Sequence, residues 1–248
     1  MSMPGTARTH RDRNGLHETF SRVRIAACRR LAAPARTTRA RIAGVLLVCA
    51  GALAVCGSAV AAPAKVPTCL AVNTMFGSNM VLQREQPVPV WGTGVPDRIV
   101  MDNVMLGEVW LCSGQSNMAF VTAEVDNAPA ELAAANAYPN IRLYPVSKWG
   151  SFARTPQTQA GGKWVECSSK TISNFSAVGY FFARDLTTTT LHDVAIGLID
   201  ASRGATRIES WMSTPTLRAR FAWSELRDSG FGATISSCYN GMIAPVIP

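Results

Sequence analysis

The segment that decides the fold is residues 107–118, which read GEVWLCSGQSNM. The stretch Leu106–Cys112 is mostly apolar and ends at the turn signal Ser113-Gly114, so it predicts a buried strand. A second run, Val194–Ile199 (VAIGLI), is apolar almost without interruption. Such a run is typical of a strand that is covered on both faces in a parallel sheet. These two strands are predicted to be neighbouring central strands of the sheet.

The region between these strands alternates helices and strands. A helix is predicted after Ser116, and an alanine-rich helix around 128–137. Residues 141–146 (IRLYPV) alternate like a strand, and Gly161-Gly162 marks a turn. This order is typical of an α/β fold, a parallel sheet flanked by helices.

Two further elements complete the pattern. An amphipathic helix follows Ser173, which we expect to be its cap. Upstream, Val88 and Val90 lie among prolines and predict an edge strand, because proline cannot donate to a sheet ladder. The apolar side of the amphipathic helix is expected to comprise Phe175, Val178, Tyr180, Phe181, Phe182 and Leu186.

The serine of this motif, Ser116, stands just past a buried strand, where a helix would begin. An α/β sheet exposes nucleophiles at this place, next to backbone N–H groups that can stabilise an oxyanion. Gly114 allows the chain to turn sharply. The motif is not the GxSxG elbow, because Met118 stands where the second glycine would be. From these residues alone, Ser116 is either a nucleophile or a helix cap.

The block GEVWLCSGQSNM resembles the nucleophile block of the sialate O-acetylesterase family, a branch of the SGNH (GDSL-like) hydrolases. Four other segments resemble segments of the same family, and they occur in the family's order. They are residues 76–92 (FGSNMVLQREQPVPVWG), 174–184 (NFSAVGYFFAR), 196–211 (IGLIDASRGATRIESW) and 239–248 (YNGMIAPVIP).

The resemblance implies roles for particular residues. Ser116 would be the nucleophile, and its own N–H would be an oxyanion donor. Gly204 would supply a second donor, and the alternative for it is a simple turn glycine. Gln115 and Asn117 would complete the motif and shape the site. The resemblance implies an acetylated carbohydrate as substrate, with no cofactor and no metal.

The sequence also departs from the family's pattern. The family's Trp-Gly-Gly-Thr is replaced by Arg203-Gly204-Ala205-Thr206, so an Arg replaces an apolar ring and Ala205 restricts the backbone. Only twelve residues separate Trp91 from Val104, where the family usually has a longer β-rich insert. We therefore expect an incomplete SGNH-like sheet preceded by a short β-rich remnant.

The catalytic base is the residue that this sequence does not supply. The chain stops at Pro248, and the family's oxyanion-hole asparagine and its Asp-x-x-His are expected beyond that point. The histidines present are His10, His17 and His192. His192 precedes the strand Val194–Ile199, so we expect it in a solvated loop at the wrong end of the sheet. A serine hydroxyl is a poor nucleophile without a base.

The first 62 residues have the features of a secretory signal peptide. Ten arginines lie between Arg8 and Arg41, residues 42–64 are uncharged, and Ala-Val-Ala-Ala precedes Pro63. Cleavage near Ala62 and a periplasmic or secreted protein are expected. The alternatives are a signal anchor, since 23 uncharged residues could span a bilayer, and a lipoprotein acylated at Cys56.

The charge of +8 belongs to this leader, which has ten Arg against one Asp and one Glu. Residues 63–248 hold fourteen basic and fourteen acidic residues, so no electrostatic footprint for nucleic acid is present. The predicted division of the chain is a signal peptide at 1–62, a linker with a shortened β-rich segment at 63–104, and a partial SGNH hydrolase domain at 105–248.

The cysteines outside the leader leave their pairing open. An oxidising compartment permits disulfides among them, and the absence of CxxC and His-bearing spacings argues against a zinc site. These residues are Cys69, Cys112, Cys167 and Cys238.

Two hypotheses about function follow from the resemblance. The first is an exported carbohydrate O-acetylesterase that uses Ser116 on sialic acid or other acetylated glycans. The second is a catalytically inactive remnant or glycan-binding relic that lacks the Asp and His of the triad. Truncation is expected to expose a hydrophobic sheet edge around Ile243–Ile247.

Overall fold

The structure is a computed structural model that describes residues 19–26, 71–86, 88, 90, 92–93, 98–228 and 232–247. The strands are β1 (Thr19–Ala26), β2 (Ala71–Val72), β3 (Val81–Gln83), β4 (Gly92–Thr93), β5 (Arg98–Gly114), β6 (Ile141–Pro145), β7 (Val165–Glu166) and β8 (Ala195–Ser202). The α-helices are α1 (Ser116–Ala119), α2 (Ala128–Ala134), α3 (Ala177–Thr189) and α4 (Thr214–Arg220). Among these residues, the structure has no helix with the length and hydrophobicity that a bilayer crossing requires.

Six strands form one mostly parallel sheet in the order β1-β5-β8-β6-β7, and β3 pairs with β5. β5 and β8 are parallel, with Gly107 opposite Ala195 and Gly114 opposite Ser202. β6 lies parallel to β8 on its other side, whereas β1 and β7 are antiparallel to their neighbours. The prediction that 107–112 and 194–199 are neighbouring central strands is therefore confirmed, as is the α/β fold.

Both faces of β8 are covered, and every one of its residues is buried. Because side chains alternate along a strand, Ile196 and Leu198 join one apolar cluster and Ile199 and Ala201 join another. The first cluster also contains Cys112, Leu143, Phe175 and Tyr180, and the second also contains Met80, Tyr144, Val146, Trp164 and Met242.

The cap of α3 is Ser176, and the prediction of Ser173 is wrong. The Ser176 hydroxyl accepts a hydrogen bond from the Gly179 N–H at 3.1 Å. Ser173 cannot begin the helix, because its carbonyl accepts a hydrogen bond from the Ala123 N–H. Ser176 itself forms a β-bridge with Val121. This segment stays extended against the 121–123 backbone until the helix begins.

The apolar side of α3 is narrower than the sequence predicts. Val178 and Phe182 are exposed rather than buried, and the Phe182 ring packs edge-on against Trp110 with centroids 5.0 Å apart. Gly179 faces β5, where an added Cβ would lie 2.9 Å from the Cys112 sulfur. The helix can therefore lie close to the strand that precedes Ser116.

Two apolar segments that were expected at sheet edges are not strands. Val88 and Val90 lie outside every strand, since the prolines beside them remove the donors that a ladder needs. Residues 243–246 lie in tight helical turns rather than in a strand, and Met242 before them is fully buried, whereas Ile247 follows the turns and is 44% exposed. The expected hydrophobic edge around Ile243–Ile247 is therefore wrong.

No break in secondary structure marks the predicted boundary between residues 104 and 105, because β5 continues from Arg98 to Gly114. β1 lies within the predicted leader and pairs with β5 from Arg98 to Met105. The predicted cleavage site near Ala62 and Cys69 both lie outside the described residues.

Candidate active site

β5 leads into α1 through a sharp turn that only glycine fits well. Gly114 has φ of +141°, a conformation that side-chain-bearing residues rarely adopt. Gln115 follows, and Ser116 is the first residue of α1, with its side chain exposed. The structure therefore presents the Ser116 hydroxyl at the carboxyl end of the central strand, as the sequence predicted.

Ser116 and Gly204 lie side by side at this edge of the sheet. The two parallel strands end in register, and the Arg203 N–H donates to the Gly114 carbonyl at 2.9 Å. A Cβ built on Gly204 would lie 3.8 Å from the Ser116 Oγ and 3.9 Å from its Cα. The predicted proximity of Ser116 and Gly204 is thus confirmed, while their roles as nucleophile and oxyanion donors stay predictions.

Gln115 lies between two cavities beside the serine. The first, of about 460 Å³, is lined by residues 114–118 together with Val178. The second, of about 270 Å³, lies between Gln115 and Trp211 and also includes Thr206. Gln115 and Asn117 are both exposed, so the motif is open to a ligand. Val178 was expected on the apolar side of the helix and was not predicted to line this cavity.

The Ser116 hydroxyl donates to the Gln115 side-chain oxygen at 3.2 Å. An amide oxygen cannot take up the serine proton in the way an imidazole does. The described residues include one histidine, His192, which is exposed in the turn before β8 and so lies at the opposite end of that strand. The described part of the chain therefore brings no histidine to Ser116.

A buried charged cluster beside the site was not predicted. Asp200 is 2% exposed, and its carboxylate accepts from the Lys148 Nζ at 3.1 Å and the Ser202 N–H at 3.0 Å. The Ser202 hydroxyl donates to the same carboxylate at 2.5 Å. Lys148 also donates to the Ser202 carbonyl at 2.7 Å. The cluster fixes the last residues of β8, immediately before Gly204.

The signal for this cluster was present in the sequence. Asp200 interrupts the apolar run of β8 near its carboxyl end, where a buried carboxylate requires partners. Lys148 could not have been found in the same way. It lies in the 3-10 turn 148–152, and only the tertiary fold brings its ammonium to Asp200.

Ala205 occupies a backbone conformation that favours glycine, with φ of +57°. This agrees with the expectation that alanine restricts the backbone at this position. We predict that Ala205→Gly raises the free energy of unfolding by about 0.5–1 kcal/mol, because the strain of a left-handed alanine is removed. The Ala205 side chain is exposed, so little packing is lost.

Chemical denaturation of the two proteins is the measurement. The matched control is Ala133→Gly, at an exposed position inside α2. It should change the free energy of unfolding in the opposite direction, by about 0.5–1 kcal/mol. Destabilisation by both substitutions would contradict the prediction.

The cysteine thiols among the described residues are buried and are not activated as nucleophiles. Burial raises the pKa of Cys112 to about 12, and the nearby Asp200 charge contributes. Burial raises the pKa of Cys167 to about 12 and also raises the pKa of Cys238. These three cysteines are free. Within the ranges that the structure describes, no group of His, Cys, Asp and Glu side chains could hold a metal ion.

Comparison with known proteins agrees with this arrangement. The profile of the family described as "Carbohydrate esterase, sialic acid-specific acetylesterase" matches residues 106–243. Mouse sialate O-acetylesterase is 37% identical over 123 residues, which are 47% of this chain and 22% of the mouse protein. The human sialate O-acetylesterase is 36% identical over 123 residues, which are 47% of this chain and 23% of the human protein.

A solved structure shares the fold. The carbohydrate acetylesterase from Xanthomonas citri superposes with a TM-score of 0.60 at 26% identity, covering 71% of this chain and 48% of that one. The chain thus spans less than a quarter of the length of the mouse and human relatives and about half of the bacterial one. The match of the family profile across β5, β8 and the residues around Ser116 shows that the chain belongs to the carbohydrate esterase family of sialic acid-specific acetylesterases.

Proposed function

We propose that this chain carries the nucleophile half of a serine esterase that removes O-acetyl groups from sialic acid or other acetylated glycans. The observation that carries the proposal is the proximity of Gly204 to Ser116. A Cβ added to Gly204 would lie 3.8 Å from the Ser116 Oγ. This proximity supports the proposal that the Ser116 and Gly204 N–H groups act together on one carbonyl oxygen.

In the proposed reaction, the Ser116 Oγ attacks the acetyl carbonyl carbon. The C–O bond to the sugar breaks, the sugar oxygen takes a proton, and the acetyl group stays on Ser116. Water then attacks this acyl-enzyme, which releases acetate and restores the hydroxyl. Negative charge develops on the carbonyl oxygen in both steps, and the two N–H groups would stabilise it. No metal or cofactor takes part.

The proton of Ser116 is the difficulty in this scheme. A base must accept it during attack, and Gln115, its partner in the structure, does not have that capacity. The resemblance places the activating Asp and His beyond Pro248. The proposed chemistry therefore needs groups besides those around Ser116 in the described residues.

The test is acetate release from an O-acetylated sialic acid at high protein concentration over long incubation. Release should be slow and should disappear in Ser116→Ala. Ser224→Ala is the matched control, since Ser224 is exposed in the turn 223–225 and lines neither cavity beside Ser116, so it should leave the rate unchanged. Equal release by the wild type and Ser116→Ala would contradict the esterase proposal. Binding without Ser116-dependent release would favour the glycan-binding relic.

We also propose that residues 1–62 are a signal peptide and that the protein acts in the periplasm or outside the cell. The arginine-rich start, the uncharged stretch 42–64 and the Ala-rich end support export. The mature protein, from a linker with a shortened β-rich segment at 63–104 into the partial hydrolase domain at 105–248, should begin near Pro63. N-terminal sequencing of protein from the periplasm or medium is the measurement, and an intact Met1 in the cytoplasm would contradict the proposal.

A further inference from the structure

An aromatic and cationic surface adjoins the loop that carries Gly204. Trp149 is 82% exposed, and its ring centroid lies 5.8 Å from that of Phe152. The Arg203 guanidinium carbon lies 5.4 Å from the centroid of the same Phe152 ring. Since Arg203 immediately precedes Gly204, the surface formed by Trp149, Phe152 and Arg203 reaches the edge of the site at Ser116.

The cavity beside these rings has room for a ligand. Its volume is about 340 Å³, and Trp149 and Phe152 line it together with the amide side chains of Gln157 and Gln159. Exposed aromatic faces with neighbouring amide groups suit sugars, which present C–H faces and hydroxyl groups at once. An indole that is 82% exposed has little packing role, so it is available to a ligand.

The guanidinium of Arg203 is available to bind an anionic group of a ligand. Among the described residues, Arg203 has no acidic partner within the 4.0 Å that defines an ion pair, whereas Arg84, Arg142, Arg184 and Arg207 each have one. The other nearby cation, Lys148, is bound to Asp200 and Ser202. A planar guanidinium held over a ring matches a carboxylate by paired hydrogen bonds.

We propose that Arg203, Phe152 and Trp149 form a subsite for an acidic sugar, in which Arg203 binds the sugar carboxylate and the two rings pack against the pyranose. This inference deepens the proposed function, on which it rests for the acetyl ester at Ser116. Carbohydrate binding itself does not depend on turnover. A neutral sugar would use the rings but would leave the guanidinium without a partner.

The experiment measures dissociation constants for N-acetylneuraminic acid and for the neutral N-acetylmannosamine by ligand-observed NMR. The wild type should bind the acid more tightly. Arg203→Met should weaken binding of the acid by about tenfold or more, because a hydrogen bond to a charged group contributes about 1.5–3 kcal/mol. Its binding of the neutral sugar should not change, and Arg203→Lys should recover part of the loss. Trp149→Ala should weaken the binding of both sugars.

The chain offers a matched control pair of the same kind. Arg218 lies 5.3 Å from the centroid of Trp223, which is 51% exposed, at the end of α4 rather than beside Gly204. Arg218→Met and Trp223→Ala should leave both dissociation constants unchanged. Circular dichroism of each variant verifies that it is folded.

The outcomes separate this subsite from the esterase proposal. Equal affinity for the two sugars, no binding of either, or acid binding that is unchanged in both Arg203→Met and Arg203→Lys would overturn the subsite. Loss of Ser116-dependent acetate release with acid binding intact would overturn the esterase proposal alone. Acetate release that persists unchanged in Arg203→Met and Trp149→Ala would overturn the subsite alone.

Discussion

A polypeptide with this sequence should hydrolyse a chromogenic acetyl ester about 10⁴- to 10⁶-fold more slowly than a full-length member of the family, the cost typical of losing triad residues in a serine hydrolase. The reason is the state of Ser116. Its hydroxyl is bound to the Gln115 amide oxygen, and His192 lies at the other end of β8. With no histidine beside it among the described residues, the hydroxyl stays neutral and is a weak nucleophile near pH 7.

The measurement compares residues 63–248 with a full-length relative under the same conditions, and Ser116→Ala provides the background rate. Turnover within about tenfold of the full-length enzyme would mean a barrier difference below about 1.4 kcal/mol, and it would contradict the prediction. If that turnover also disappeared in Ser116→Ala, another group would be acting as base. His192→Ala would then be the first variant to test.

Gly107→Ala should destabilise the protein by at least about 3 kcal/mol, at the upper end of what overpacking costs. Gly107 stands where β5 begins to pair with β8. A Cβ at this position would lie 1.9 Å from the Ala195 carbonyl oxygen and 2.7 Å from the carbonyl carbon. Backbone atoms cannot rotate away as a side chain can, so the two central strands would have to separate.

The measurement is urea denaturation, and Gly77→Ala is the matched control. An added Cβ at Gly77 would meet nothing within 4 Å, so that variant should lie within about 0.5 kcal/mol of the wild type. The same small change for Gly107→Ala would show that β5 and β8 are not held as closely as the structure describes.

The centre of the fold could be predicted because two patterns agree there. The run Val194–Ile199 is apolar without alternation, which a strand buried on both faces requires, and the segment 107–112 is followed two residues later by Gly114, which the turn needs. Parallel strands end at one edge of a sheet, so Ser116 and Gly204 could be placed together before any distance was known. The family resemblance then assigned their roles, which stay predictions.

The remaining features depend on contacts that no local pattern contains. Ser173 and Ser176 are both good caps, and only the extended pairing with the 121–123 segment decides between them. Val178 has helical spacing with the core residues, yet it lines the cavity at Ser116. The ion pair of Lys148 with Asp200 joins side chains from two separate elements. Periodicity indicates which face of an element is apolar but does not indicate what covers that face.

The continuity of β5 has a consequence for the order in which the protein assembles during synthesis. Its residues Met105–Gly107 pair with β3, which leaves the ribosome before it, whereas its carboxyl half pairs with β8, which begins only at Ala195. Contacts of large sequence separation form late, because a long loop must first close. The nascent chain should therefore hold β3 beside β5 while the Ser116 turn still lacks its neighbour. The site would be completed last, when the second central strand docks and brings Gly204 to the serine.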